Sequence, residues 1–260
     1  MKITLEDVNY GYSADQMVLH DINLTIDTKG LVCIIGPNGV GKSTLIRCIN
    51  KLIKPTSGNV YIDGRNLNDI PLKELSQRMS YVPVKTQDCF SMNLIDTILV
   101  GRHNKSKWRT TEEDLEAVYK VITLMGLDEL KMRNFNELSA GQHQKVAIAR
   151  GLVQEPEVLI LDEPTSNLDA RHQIYVTQML RAIAEQQDMT VIMICHDLNV
   201  SAKYANEIIV MAPPGIIYGK GKPEDVITAS LIEDVYKVKC EIINDEGKPH
   251  VLLKSQLPSE

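Results

Sequence analysis

The sequence predicts an α/β fold: a sheet core with crossover helices, a small antiparallel β region, and an inserted, mostly helical subdomain. Three observations predict it. Leu31-Val-Cys-Ile-Ile35 is apolar throughout, as a strand buried on both faces should be, and a helical pattern follows it. Strand and helix patterns alternate again at Val158 to Leu161, Asp169 to Gln187 and Thr190 to Ile194, which implies parallel strands. Between these two regions, from Gln87 to Gln154, the apolar spacing is helical.

In chain order, the opening third reads as short strands at Lys2 to Leu5, Asp21 to Ile26, Leu31 to Ile35 and Asn59 to Ile62. A helix begins near Lys42 with Leu45, Ile46 and Ile49 on one side, and Pro55 and Gly58 punctuate its end. Thr111-Glu-Glu-Asp114 has the form of a helix start, and Leu115, Val118, Val121, Ile122 and Met125 follow at helical spacing before Gly126. Another helix runs from Ser139 to Gln154 and stops before Pro156. Glu241-Ile-Ile243 and Val251-Leu-Leu253, around Asp245-Glu-Gly247, predict a terminal hairpin. A single domain is expected over 1–260, with core segments 1–86 and 155–238, a helical subdomain 87–154 and a tail 239–260.

Composition narrows the class. The chain has 43% apolar and 24% charged residues, ordinary for a globular protein, and few aromatics, so Ile, Leu, Val and Met must build the core. A net charge of −6 argues against a nucleic-acid partner, which would need a basic face. No apolar run approaches the roughly 18 to 20 residues of a membrane-spanning helix, and the N-terminus lacks a signal-peptide core. Cys33, Cys48, Cys89, Cys195 and Cys240 are scattered with no CxxC pair, which fits reduced thiols better than disulfides or a metal site.

Gly36-Pro37-Asn38-Gly39-Val40-Gly41-Lys42-Ser43, followed by Thr44, matches GxxxxGK[ST] between a buried strand and a helix. Glycines let such a loop curl so that its N–H groups and the helix N-terminus meet phosphate oxygens. Lys42 supplies charge to the outer phosphates and the Ser43 hydroxyl suits Mg²⁺, so this is a candidate ATP site. The strand Val158 to Leu161 ends in Asp162-Glu163. Asp162 can hold Mg²⁺ through its water shell, and Glu163, facing the other way, is the candidate general base for an attacking water. A solvated strand end bearing two acids is the bland alternative, which the phosphate loop disfavours.

Leu138-Ser139-Ala140-Gly141-Gln142 resembles the LSGGQ signature of ABC transporter ATPases, P-loop NTPases with a RecA-like core. Physically, Ser139 is a helix cap with a free hydroxyl, and Gly141 lets a γ-phosphate approach the helix's positive end. The resemblance covers nearly the whole chain. It implies that Tyr12 stacks on adenine, that Ser166 to Asp169 form the D-loop, and that His196 is the switch histidine on the γ-phosphate. Two residues depart from the pattern. Ala140 stands where Gly is usual, a small steric change. Val84 stands where the Q-loop glutamine is usual, and the nearest amide, Gln87, is the candidate substitute for contacting nucleotide and Mg²⁺.

The same resemblance implies a head-to-tail dimer of two copies, in which ATP held by one is sealed by Ser139 and Gly141 of the other. It also implies membrane permease partners, an indirect link to a substrate-binding protein, and a peripheral place on the cytoplasmic side of the membrane. Phe90 and Met92, in the segment Gln87 to Asn93, are candidate permease contacts. Gly101-Arg-His103, Leu168-Asp-Ala-Arg-His-Gln173, His196-Asp-Leu-Asn199 and Gly221-Lys-Pro223 are similar to the ATPases of importers for iron–siderophore complexes, heme and cobalamin. The competing expectation is a soluble ABC ATPase of iron–sulfur cluster assembly, which shares every nucleotide motif.

Overall fold

The structure is a computed structural model that describes residues 1–13, 15–84, 92–105, 110–166 and 168–257. Contacts divide it into two compact units, Met1–Ile70 with Thr177–Glu260, and Pro71–Val176.

In the first stretch, β1 (Ile3–Ser13), β2 (Gln16–Ile26), β3 (Gly30–Ile35), α1 (Lys42–Ile49), β4 (Ser57–Ile62) and β5 (Arg65–Asn66) follow one another. The second unit contains α2 (Leu72–Arg78), β6 (Met79–Val82), α3 (Leu94–Leu99), α4 (Glu112–Leu124), α5 (Ala140–Leu152) and β7 (Val158–Leu161). Helix α6 (Ala170–Gln186) leads back to the first unit, completed by β8 (Thr190–Ile194), α7 (Leu198–Tyr204), β9 (Glu207–Ala212), β10 (Ile216–Gly221), α8 (Pro223–Val226), α9 (Ala229–Tyr236), β11 (Val238–Asp245) and β12 (Lys248–Gln256).

The first unit has three β pieces. β2, β1, β4 and β5 form an antiparallel sheet in that order. β3 lies parallel between β8 and β9, while β10 runs antiparallel on β9. All six residues of β3 and all five of β8 are buried. This is why both sequences are apolar after their first residues, Gly30 and Thr190, each buried Val, Leu, Ile or Met side chain contributing about 1.5–3 kcal/mol. β11 and β12 pair as a separate hairpin.

In the second unit β6 and β7 pair in parallel, from Met79 opposite Val158 to Val82 opposite Leu161. Helix α5 packs on β6 and α3 packs on α4 and α5. Thr111 caps α4 in a reciprocal capping box with Asp114. That arrangement is worth about 1 kcal/mol. A buried ion pair reinforces it: Arg102 Nε sits 3.0 Å from the Asp114 carboxylate, both side chains 4% exposed. Arg102 also donates to the Val153 carbonyl at 3.1 Å. The Arg102 of the Gly101-Arg-His103 motif is thus a packing residue that joins α4 to the end of α5.

Several boundaries differ from expectation for identifiable reasons. The first strand continues past Leu5 to Ser13 because Asp7 adopts φ 50 and the register shifts between Leu5 and Val8. That bulge breaks the alternation on which a strand is recognised. Gly58 does not punctuate α1, which ends at Ile49 with Asn50 as its cap; Gly58 lies within β4. The unit holding the helical stretch 87–154 runs from Pro71 to Val176, because it includes the paired β6 and β7. Cys33, Cys48 and Cys195 are buried free thiols and Cys240 is a partly exposed one, whereas Cys89 lies outside the described residues.

Candidate nucleotide site

The first unit builds a phosphate-type loop from the C-terminal end of β3. Gly36 has φ 147 and Gly41 φ 100, the conformations that let the chain reverse between strand and helix. A Cβ at Gly36 would sit 2.3 Å from the Met211 carbonyl, and one at Gly41 3.0 Å from that of Val18. Both glycines are therefore required by packing as well as by conformation. Pro37 is half-buried, Asn38 and Gly39 are exposed at the tip, and Val40 and Thr44 are buried at the loop's base. Lys42 is 5% exposed, and its ammonium donates to the carbonyls of Gly36 at 2.7 Å and Pro37 at 2.9 Å. Ser43 follows in the first turn of α1, whose cap Gly41 has no side chain to occupy the helix's first N–H groups. Buried cation, curled backbone and uncapped helix start are the three parts of an anion cradle.

Two other expected residues share this unit. Tyr12 sits near the tip of the β1–β2 hairpin, 57% exposed and edge-on to Tyr10 at 5.2 Å. The same hairpin packs on Gly41 through Val18 and Leu19, contacts that the sequence does not announce. His196 is exposed two residues beyond β8, which runs beside β3 with Ile194 opposite Ile34. The loop and His196 thus leave neighbouring parallel strands at the same, C-terminal edge, where α/β sheets bind ligands.

The second unit carries the acids and the signature. Asp162, 1% exposed, follows β7; its backbone N–H donates to the Val82 carbonyl at 2.9 Å and its carboxylate accepts from the Tyr81 hydroxyl at 3.1 Å. Tyr81 is a partner that sequence reading misses, since it stands 81 residues away. Glu163 is half-buried with φ 50, a left-handed conformation that costs a glutamate about 1 kcal/mol. Its carbonyl is held by the Ser166 hydroxyl at 3.1 Å. Strain of this kind gathers where a side chain must be aimed.

Ser139 caps α5, its hydroxyl oxygen accepting from the Gln142 N–H at 3.4 Å while the Gln142 side chain accepts from the Ser139 N–H at 2.9 Å. The Ser139 oxygen thus acts as the helix cap that the sequence predicts. Ala140 is exposed in the first turn of α5. Asp169 holds the start of α6, accepting from the His172 N–H at 2.9 Å and lying 2.8 Å from His172 Nδ1. Hydrogen bonds from the His172 backbone and then its ring keep the Asp169 carboxyl below the usual range. Ser139, Gly141 and Gln142 share a cleft of about 400 Å³ with Lys145, Arg171 and His172. Arg171 and His172 belong to the Leu168 to Gln173 motif, whereas Lys145 belongs to none of the motifs named above. Gln87 and Phe90 lie outside the described residues, as does Asn167 within the expected D-loop. Met92 is half-buried, and its carbonyl accepts from the Phe135 N–H at 2.9 Å. Among the described residues no helix is long and apolar enough to cross a membrane, and no cluster of three His, Cys, Asp or Glu could hold a metal.

The chain is similar to known proteins in sequence and in fold. Residues 19–166 match the family described as ABC transporter. An uncharacterized ABC transporter ATP-binding protein of Methanocaldococcus jannaschii is 38% identical, covering 97% of this chain and 98% of its own length. The probable siderophore transport system ATP-binding protein YusV of Bacillus subtilis is 34% identical over 94% of this chain and 88% of its own. The cobalamin import ATP-binding protein BtuD of Halobacterium salinarum is 33% identical over 89% and 58%. Among solved structures, cbiO1 of Clostridium perfringens, part of the ABC transporter complex cbiONQ, superposes with TM-score 0.79 at 30% identity, covering 89% of this chain and 92% of that one. A dimeric post-hydrolysis ATP-binding cassette bound to ADP and Pi superposes with TM-score 0.72 at 28% identity, covering 85% and 98%. The chain belongs to the ABC transporter family, as one of its ATP-binding subunits with the P-loop NTPase fold.

Proposed function

We propose that this subunit hydrolyses ATP to power an importer for an iron chelate, siderophore or heme, or for cobalamin, through a partner permease on the membrane's cytoplasmic side. The observation that carries the ATPase reading is the buried Lys42 ammonium, held at the head of an uncapped helix by the loop's own carbonyls. The N–H groups of 36–44 and the Lys42 charge bind and orient the β- and γ-phosphates. Tyr12 provides a face for adenine. Glu163, aimed by its strained backbone, accepts the proton of the attacking water, and His196 donates to the γ-phosphate. Ser43 and Asp162 offer hard oxygen donors that suit Mg²⁺, an ion that neutralises phosphate charge when bound. Gln87 stands in for the amide missing at Val84.

The site is completed by a second copy, whose Ser139, Ala140, Gly141 and Gln142 close over the γ-phosphate while Asp169 fixes the segment between acids and α6. The dimeric state of a related cassette supports this. Residues 87–154 serve as the helical subdomain that meets the permease, and a substrate-binding protein delivers cargo from outside. Support for the cargo class comes from the siderophore and cobalamin relatives.

Two experiments test this. Lys42→Ala should lower ATP turnover by at least about 100-fold, the scale of removing one electrostatic contact to the transition state; unaltered turnover refutes the site. Affinity capture from native membranes should recover a polytopic permease, and vesicles containing that complex should accumulate a ferric chelate or cobalamin. Recovery of a soluble iron–sulfur scaffold protein in its place contradicts the importer reading.

A further inference from the structure

His196 sits in a short joint. On one side the Cys195 N–H donates to the Ile34 carbonyl at 3.1 Å, fixing the chain to β3. On the other, Asp197 caps α7, its carboxylate accepting from the N–H groups of Asn199 at 2.8 Å and Val200 at 3.0 Å. The position of His196 therefore follows from where α7 lies.

Helix α7 has only seven residues, too few to hold its place by propensity. The C-terminal hairpin holds it. The Asn199 side-chain amide donates to the Val251 carbonyl at 3.2 Å, and its oxygen accepts from the Val251 N–H at 2.7 Å. One side chain thus satisfies both backbone groups of a residue in β12, as a neighbouring strand would. Val251 itself is 3% exposed. At the far end of α7, Lys203 lies 3.2 Å from Asp245 and 3.5 Å from Glu246, at the hairpin turn. Lys248 pairs with Glu224 of α8 at 2.7 Å, anchoring the hairpin independently of α7. Just before the hairpin, burial pushes the Tyr236 phenol well up, with the Gly36 backbone working the other way. The segment that follows β10 thus holds the helix behind His196 at both of its ends.

We propose that the C-terminal hairpin is a positioning brace for His196, acting through the two-bond clamp of Asn199 on Val251, so that turnover depends on it while nucleotide affinity does not. Asn199 is a positioning residue, since it touches no reacting atom. The proposal rests on the assignment of His196 to the γ-phosphate. It gives a physical reason for an asparagine three residues after that histidine, where any helix former would suit α7 alone.

The test is steady-state ATP hydrolysis by the purified chain, with equilibrium binding of a fluorescent ATP analogue and thermal melting measured alongside. Asn199→Ala, which loses both bonds, should lower kcat roughly tenfold with KM and analogue affinity within about twofold of wild type, the scale on which a small misplacement acts. Asn199→Asp, which keeps an acceptor for the Val251 N–H but faces its carbonyl with a second acceptor, should fall between Ala and wild type. Lys203→Glu should lower kcat by about twofold and Lys203→Glu/Asp245→Lys should restore it; both sites are solvent-exposed, so these variants report even where Asn199→Ala fails to fold. Wild-type kcat in the Asn199 variants beside an inactive His196→Ala overturns the brace alone. Wild-type kcat in His196→Ala overturns the parent assignment and the brace with it. Turnover, affinity and melting temperature falling together make the clamp a general folding contact and overturn the proposal.

Discussion

Replacing Arg102 by methionine separates a packing role from a functional one. Arg102 is buried, and burial works against its charge, but the hydrogen bonds it donates to Asp114 and Glu155 more than offset this and hold the guanidinium above its ordinary pKa. The substitution removes the 3.0 Å contact to Asp114, the 3.1 Å bond to the Val153 carbonyl and the 3.0 Å contact to Glu155. Glu155 is 58% exposed and keeps Lys105 at 2.7 Å, so its share of the loss is small. Asp114 carries the larger share, a carboxylate 4% exposed that loses its 3.0 Å contact with the Arg102 guanidinium. Breaking a buried pair costs about 3–5 kcal/mol. The lower figure applies here, because the other Asp114 oxygen still accepts from the Thr111 N–H at 3.0 Å and hydroxyl at 2.9 Å. At roughly 2–4 °C per kcal/mol for a domain of this size, calorimetry should find the transition about 6–12 °C lower. Adding Asp114→Asn removes the buried negative charge, keeps an acceptor for Thr111, and should recover at least half the loss. A loss below about 1 kcal/mol, or a stable variant whose ATP turnover has collapsed, refutes the packing role.

Other consequences are simpler to read. Gln87→Ala should slow ATP turnover severalfold, and Val84→Gln in that background should restore it; turnover indifferent to Gln87→Ala ends the substitution hypothesis. Burial raises the Cys48 thiol from 9.0 to about 12, so the folded chain holds a proton that the unfolded chain releases. That contribution to stability is complete below pH 9 and is eroded as pH rises from 9 toward 12. Denaturant unfolding at pH 8 and pH 10 should therefore show lower stability at the higher pH. At pH 8 iodoacetamide should leave Cys33, Cys48 and Cys195 unmodified until the protein is unfolded, and early labelling of any of the three contradicts their burial.

The sequence was most legible where local pattern and burial coincide. β7 and β8 have the bounds their apolar runs imply, and Thr111 and Ser139 cap helices as their three-residue spacing to Asp114 and Gln142 suggests. β9 was not recognised although Ile208 to Met211 is continuously apolar, because so short a run fits a buried helix segment equally well. The phosphate loop was legible because its chemistry demands particular residues in consecutive order. Tyr81 beside Asp162 and Asn199 beside Val251 were not, since each contact joins residues 81 and 52 positions apart and is fixed by strand register and helix placement. The cleft beside the signature has the same origin: Lys145 of α5 and Arg171 of α6 are 26 positions apart and line it together only in the folded chain.

The central claim is that ATP held by the phosphate loop of one copy is sealed by the capped α5 of another. Light scattering on Glu163→Gln, which keeps the site but removes its base, tests it most directly. With ATP and Mg²⁺ the variant should have twice the monomer mass, and adding Ser139→Arg should return it to monomer while the loop still binds ATP. A Glu163→Gln protein that binds ATP yet stays monomeric at every concentration contradicts the claim.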